Sequence, residues 1–216
     1  MKKYPLIEIF YSIKGEGLHT GVPMIFVRFH GCNLKCPFCD TPSKLWKTLT
    51  KEDILKKMQN LSTDCRTVVL TGGEPNIYDL TDFINLLHDE EYDIHMETNG
   101  LQTEYIDKNI KDIDWLTVSP KQPNGLSNYA LHRCDEIKYL LNGDDPYYHN
   151  IINTVEALTI TNECPRLILP IAEPYGDDGS GRNKIIPKNV KYAIDYCKTN
   201  PNFQLCVQLH KYLSIP

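Results

Sequence analysis

The chain has 216 residues, 41% of them hydrophobic and 24% charged, with a net charge of −5 and a pI near 5.8. Such a chain buries a core without disulfide staples, and its acidic balance argues against a broad nucleic-acid-binding face. No apolar run is long enough to span a bilayer, and MKKYPLIEIF lacks the apolar core and cleavage site of a signal peptide, so a cytoplasmic protein is expected.

In chain order, IEIF (7–10) and MIFVRF (24–29) read as strands from their β-branched and aromatic content. Thr50 reads as the N-cap of a helix KEDILKKMQN, with Ile54, Leu55 and Met58 on one face. TVVLT (67–71) is a buried-strand run stopped by Gly72-Gly73, and residues 79–90 form a helix with Leu80, Phe83, Ile84 and Leu87 as its apolar stripe. IHMET (94–98) is the next strand, ended by Asn99-Gly100, and a weaker helix fills 103–110. WLTVS (115–119) is a strand closed by Pro120, and EIKYLL (136–141) and RLILPI (166–171) are two more, with a helix around 150–159. Asp177-Asp178, between Gly176 and Gly179, reads as a loop. Pro187 suits the first turn of a helix running to about 198, and FQLCVQL (203–209) is a final strand.

This alternation predicts parallel strands joined by right-handed crossovers. The strands are too few for a closed eight-unit barrel. A single domain over 1–216 is expected, of the α/β class: a partial, open parallel β/α barrel with about six core strands. Parallel sheets bind ligands at their carboxyl edge, and nearly every polar motif here follows a strand.

Eight cysteines in a cytosolic chain point to metal or catalysis where they cluster. Cys65, Cys134, Cys164, Cys197 and Cys206 lie far apart in sequence and read as buried apolar residues. The other three stand in GCNLKCPFCDTP, spaced Cys-x3-Cys-x2-Cys as Cys32, Cys36 and Cys39. Thiolates suit iron–sulfur clusters or zinc. A structural zinc site wants four protein ligands, and only His30 and Asp40 offer a fourth. Three cysteines holding a cubane [4Fe–4S] cluster leave one iron open to a small molecule.

The cysteine loop after the first core strand, with Phe38 before its third cysteine, resembles the signature of the radical S-adenosylmethionine (SAM) superfamily. The resemblance implies that the cluster, once reduced, cleaves SAM to a 5′-deoxyadenosyl radical that abstracts a substrate hydrogen. Thr71-Gly72-Gly73-Glu74-Pro75 resembles the family's motif for the SAM amino group, where glycines let backbone approach a ligand closely. By the same resemblance Phe38, Thr98, Asn99, Ser119 and Lys121 line the SAM site. All of these segments also have an ordinary reading as turns.

Four more features resemble the 7-carboxy-7-deazaguanine synthase family: Ser12-Ile13-Lys14-Gly15-Glu16-Gly17, Arg28, Cys39-Asp40-Thr41, and the tail Gln208 to Pro216. That family is a lyase of queuosine-type 7-deazapurine biosynthesis, contracting 6-carboxy-5,6,7,8-tetrahydropterin with loss of ammonia. The resemblance implies a substrate loop over about 8–22, with Ile13, Lys14, Gly15 and Glu16 against the pterin. A substrate-contacting tail covers about 203–216. Arg28 would pair with the substrate carboxylate, a geometry its fork suits. Glu97 would accept from the pterin's amino and ring N–H groups. His210 and Pro216 would reach the pterin from the tail, and Thr41 would bind Mg²⁺. A flavodoxin-like electron donor and a homodimer are implied too, with no nucleic-acid or membrane partner.

Taken singly, Arg28 reads as a surface residue, Thr41 as a turn residue, His210 as an ordinary histidine and Glu16 as a solvated charge. Their joint order carries the resemblance. The chain departs from the family twice. Lys14 stands where Gln is usual, and a cation cannot accept a hydrogen bond. Leu169-Pro170 lacks the usual Gln before its proline. A glycyl-radical activating enzyme shares the cysteine spacing, and a zinc-binding module is the non-catalytic alternative.

Overall fold

A computed structural model describes residues 2–39, 41, 45–158, 163–173 and 184–216. The acidic Asp177-Asp178 stretch and Asp40 lie outside the described residues. Among the described residues nine strands form one sheet: β1 (Lys3–Ile13), β2 (Pro23–Phe29), β3 (Lys47–Thr50), β4 (Thr67–Gly72), β5 (Asp93–Thr98), β6 (Trp115–Val118), β7 (Glu136–Leu141), β8 (Arg166–Pro170) and β9 (Phe203–Leu205). Their order is β3-β1-β2-β4-β5-β6-β7-β8-β9. The sheet is open, with β3 and β9 at its edges, as the sequence predicts.

From β2 to β9 every pairing is parallel. At the N-terminus, outside the parallel core that the sequence predicts, β1 runs antiparallel to both β2 and β3. The physical reason is the connection: residues 14–22 hold no helix to carry a crossover. They close instead as a hairpin loop, with Lys14 N–H on the Val22 carbonyl at 2.8 Å and Gly21 N–H on the Lys14 carbonyl at 2.9 Å.

The α-helices among the described residues are α1 (Lys51–Leu61), α2 (Thr81–Asp89), α3 (Ile106–Ile110), α4 (Asn128–Arg133), α5 (Pro146–Leu158), α6 (Pro187–Thr199) and α7 (Leu209–Leu213). Thr50 caps α1 as expected, accepting from Asp53 N–H while the Asp53 carboxylate reaches back to Thr50 N–H. Helix α4, unforeseen, is short and capped by Ser127. The expected strand 203–209 is corrected: it ends at Leu205. Cys206 N–H still bonds the Ile168 carbonyl, but Leu209 N–H turns to the Gly15 carbonyl, and the chain coils into α7.

Successive side chains of a strand point to opposite faces. One face carries Val27, Leu70, Met96, Val118 and Tyr139, all fully or nearly fully buried against helix residues such as Met58, Phe83, Ile110, Leu131 and Val155. The alternate positions, Arg28, Thr71, Glu97, Thr117, Glu136 and Lys138, are polar. The register sets Arg28 beside Thr71, Glu97 beside Thr117, and Thr117 beside Glu136. The helix-covered face is thus the core, and the polar face is covered by the 14–22 loop and the C-terminal tail. Cys134, Cys164 and Cys206 are buried as expected, with the Cys134 and Cys164 sulfurs 3.5 Å apart, whereas Cys65 and Cys197 are only half-buried.

Candidate active site

Two groups of residues meet at the carboxyl edge and polar face of the sheet. The first gathers the loops after β2, β4, β5 and β6. Gly73 lies directly under the cysteine loop: a Cβ there would stand 1.9 Å from the Gly31 carbonyl oxygen. Glu74 N–H donates to that same carbonyl at 2.8 Å. Asn99 reaches across with its side-chain amide, 2.8 Å from Asn33 Oδ1 and 4.0 Å from Cys32 Sγ. Ser119 N–H bonds the Thr98 carbonyl at 2.8 Å, and the Lys121 ammonium donates to the Ser119 hydroxyl at 2.6 Å.

Glu74 is buried. Its carboxylate accepts from Thr98 Oγ1 and Asn99 N–H, both at 2.7 Å, and from Asn76 N–H at 3.1 Å. Burial pushes its pKa up against those hydrogen bonds. These bonds, with one from the Asn76 side chain, tie the Glu74 carboxylate to the ends of the strands.

Cys32 and Cys39 are exposed and Cys36 is half-buried, none of them in a disulfide. Burial raises the Cys32 thiol, and neighbouring Cys36 and Cys39 raise it further, as thiolates on one loop do. Lys121 works against burial at Cys36. Among the described residues no three ligand side chains converge on one single-ion position. Three free thiols on one loop suit a cubane, in which each cysteine takes a different iron. Phe38 packs edge-on against Tyr148 at 5.9 Å, and the Thr41 hydroxyl lies 3.4 Å from the Gly72 carbonyl.

The second group gathers the N-terminal loop and the tail over the polar face. Gly15 touches His210: a Cβ at Gly15 would stand 2.2 Å from its Nδ1. Ser12 donates its hydroxyl to the Pro216 carbonyl at 3.0 Å. Gln208 donates to Glu16 Oε1 at 2.7 Å. Beneath them Lys14 Nζ lies 2.5 Å from Glu97 Oε1, and Lys138 Nζ lies 2.5 Å from Glu16 Oε2 and 3.2 Å from Glu97 Oε1. Thr71 donates to Glu97 Oε2 at 2.8 Å. Arg28 Nε is 2.9 Å from Glu8 Oε1, with its guanidinium 5.7 Å from the Phe10 ring centre.

Burial alone would raise the Glu97 carboxyl. Lys138 and Lys14 overcome it and hold the group well below the ordinary range. Glu16 behaves likewise: burial opposes ionisation, and mainly Lys138 brings the pKa down to about 2. Lys138, which burial would deprotonate, is held charged by Glu16 and Glu97. Lys138, Glu16 and Glu97 thus hold one another in their charged forms, with Lys14 Nζ beside Glu97.

The structure therefore gathers the expected SAM-side residues Gly72, Gly73, Glu74, Thr98, Asn99, Ser119 and Lys121 around the cysteine loop. It gathers Lys14, Gly15, Glu16, Glu97, His210 and Pro216 in the second group. Sequence reasoning missed Lys138 and Glu136. Glu136 accepts from Leu18 N–H and Thr117 Oγ1, both at 2.8 Å, and so pins the loop. The available signal was the pair of charges two apart in EIKYLL, which places both on one face of a wholly buried strand.

The chain is similar to known proteins over most of its length. The family model of the radical SAM superfamily matches residues 26–158. The 7-carboxy-7-deazaguanine synthase of Bacteroides thetaiotaomicron is 32% identical over 208 residues, covering 96% of each chain. That of Escherichia coli K12 is 32% identical over 247 residues, covering 99% of each. The crystal structure of QueE from Escherichia coli superposes with a TM-score of 0.73 at 27% identity, covering 96% of this chain and 95% of that one. A radical SAM methyltransferase from Sphaerobacter thermophilus, at 16% identity and a TM-score of 0.55, shares the fold. The chain belongs to the radical SAM superfamily and, within it, to the 7-carboxy-7-deazaguanine synthase family.

Proposed function

We propose that this chain converts 6-carboxy-5,6,7,8-tetrahydropterin to 7-carboxy-7-deazaguanine, releasing ammonia, in queuosine-type 7-deazapurine biosynthesis. The observation that carries the reading is the closure of loop on tail over Glu97, with His210 against Gly15 and Pro216 tied to Ser12. A glycyl-radical activating enzyme acts on a protein segment and has no use for so closed a pocket.

Cys32, Cys36 and Cys39 would hold the [4Fe–4S] cluster, and Gly72, Gly73, Glu74, Thr98, Asn99, Ser119 and Lys121 would bind SAM. The thiol-only donor set fits the cluster, and the carboxylate and backbone carbonyls beside it fit an ammonium group. When bound, the two together supply hydrogen-atom abstraction from the substrate. Thr41 would hold Mg²⁺, a hard ion that takes few protein ligands and fills its shell with water and substrate oxygens. A flavodoxin-like donor and a homodimer complete the reading on the strength of the family.

The chain's own residues then orient and shield. Glu97, kept ionised by its two lysines, accepts from the pterin ring. Arg28, its plane fixed through Nε by Glu8, offers its fork to the substrate carboxylate. Loop and tail exclude water from the reacting carbon.

The test is anaerobic turnover by reconstituted protein with SAM, Mg²⁺, a chemical reductant and the carboxy-tetrahydropterin, read by mass spectrometry. Product that disappears with Cys36→Ala is the expected result. SAM cleavage without the deazapurine would leave the superfamily standing and overturn the substrate.

A further inference from the structure

Lys14 does not point to solvent. It is 4% exposed and lies 5.8 Å from the Phe26 ring centre. An ammonium has three N–H donors. Among the described residues Lys14 uses one, on Glu97 Oε1. Two donors are thus left over in a buried place where an unmet N–H is costly.

The acceptor beside it is nearly spent. A carboxylate offers about four lone-pair positions. Glu97 Oε1 accepts from Lys14 and Lys138, and Oε2 accepts from Thr71. About one position remains, on Oε2, and the Glu97 side chain keeps 23% of its surface open. What faces a ligand is therefore a single acceptor next to spare cationic donors. An edge presenting two adjacent N–H groups, the amino and ring N–H that the family resemblance implies for Glu97, needs two acceptors and does not match. An edge presenting one N–H beside one C=O does.

We propose that the Lys14–Glu97 pair reads a cyclic amide edge, Glu97 Oε2 accepting its ring N–H and Lys14 donating to its carbonyl oxygen, with Lys138 as the residue that positions Glu97. Resting on the pterin reading, this assigns the pair to ring atoms N3 and O4. It makes Lys14 a specificity-determining residue that selects a 4-oxo over a 4-amino pteridine. Lys138, joined to both Glu97 and Glu16, couples that edge to the position of the substrate loop.

The test measures binding with no turnover. Enzyme carrying its cluster and SAM, without reductant, is dialysed to equilibrium against 6-carboxypterin or 2,4-diamino-6-carboxypteridine. The wild type is expected to prefer the 4-oxo compound by about tenfold or more, since a site built around a hydrogen bond rejects the partner that cannot make it. Lys14→Met should lower that preference several-fold, the worth of one lost charged hydrogen bond, while Glu97 still discriminates through the ring N–H that the diamino compound lacks. Lys14→Gln, whose amide turns either face to the ligand, should do the same. Lys138→Met should weaken both ligands while keeping their ratio, and Lys138→Arg should restore part of the affinity. SAM binding by each variant verifies that it has folded. A ratio left intact by both Lys14 variants would overturn the inference alone. Binding of neither pteridine by the wild type would overturn the pterin reading and this inference with it.

Discussion

The Ser12 hydroxyl donates to the carbonyl of Pro216 at 3.0 Å, joining residues 204 positions apart. With Leu209 N–H on the Gly15 carbonyl at 2.8 Å, it makes the first hairpin loop and the C-terminal tail one lid over the polar face. Removing Ser214–Pro216 deletes the lid's clasp without touching the core. Steady-state kinetics should show KM for the pterin rising about tenfold, the worth of one or two hydrogen bonds, with SAM binding unchanged.

Gly15→Ala puts a methyl group 2.2 Å from His210 Nδ1 and must push tail and loop apart. A shift of about 1 Å in a positioned group costs roughly 100-fold in rate. A kcat/KM reduced by about that factor, at an almost unchanged Tm, is the expected result.

Gly73→Ala brings a Cβ to 1.9 Å from the Gly31 carbonyl, where the opposing atoms are backbone and cannot swing away. The cysteine loop must move. Iron and sulfide analysis after reconstitution should show most of the cluster lost, whereas an alanine at exposed Asn124 should keep it.

The ion network gives a pH signature. Lys138 brings the Glu16 carboxyl down to about 2 in the folded protein, below the ordinary carboxylate range, so its ionised form is the one folding favours. That stabilisation is complete above about pH 4.5 and fades as pH falls towards 2. Glu16→Gln should therefore lower Tm at neutral pH, and the gap from the wild type should narrow between pH 4.5 and 2 in thermal melts. A constant gap would mean that Glu16 is not held by Lys138.

Much of this site is legible in the sequence because it comes in short contiguous pieces. Cys32, Cys36 and Cys39 share one loop, and Gly72-Gly73-Glu74 follows one strand, so local order already implies proximity. Lys138 escaped because its strand, EIKYLL, reads as core and its role exists only across the sheet, through Glu97 on β5 and Glu16 on the loop. The antiparallel β1 escaped for a related reason. Strand–helix alternation suggests crossovers, and it took the helix-free stretch 14–22 to signal a hairpin. The strand expected over 203–209 broke off at Leu205 because Gln208 and Leu209 bond the N-terminal loop, a partner nearly 200 positions away that no local pattern reveals.

The most direct test of the central claim uses carboxy-tetrahydropterin deuterated at the carbon that bears the carboxylate. Anaerobic turnover with SAM should yield 7-carboxy-7-deazaguanine together with 5′-deoxyadenosine carrying the deuterium, both by mass spectrometry. Unlabelled 5′-deoxyadenosine with no deazapurine would contradict the account, because the pocket under Gly15 and His210 would then not be presenting that carbon to the SAM site.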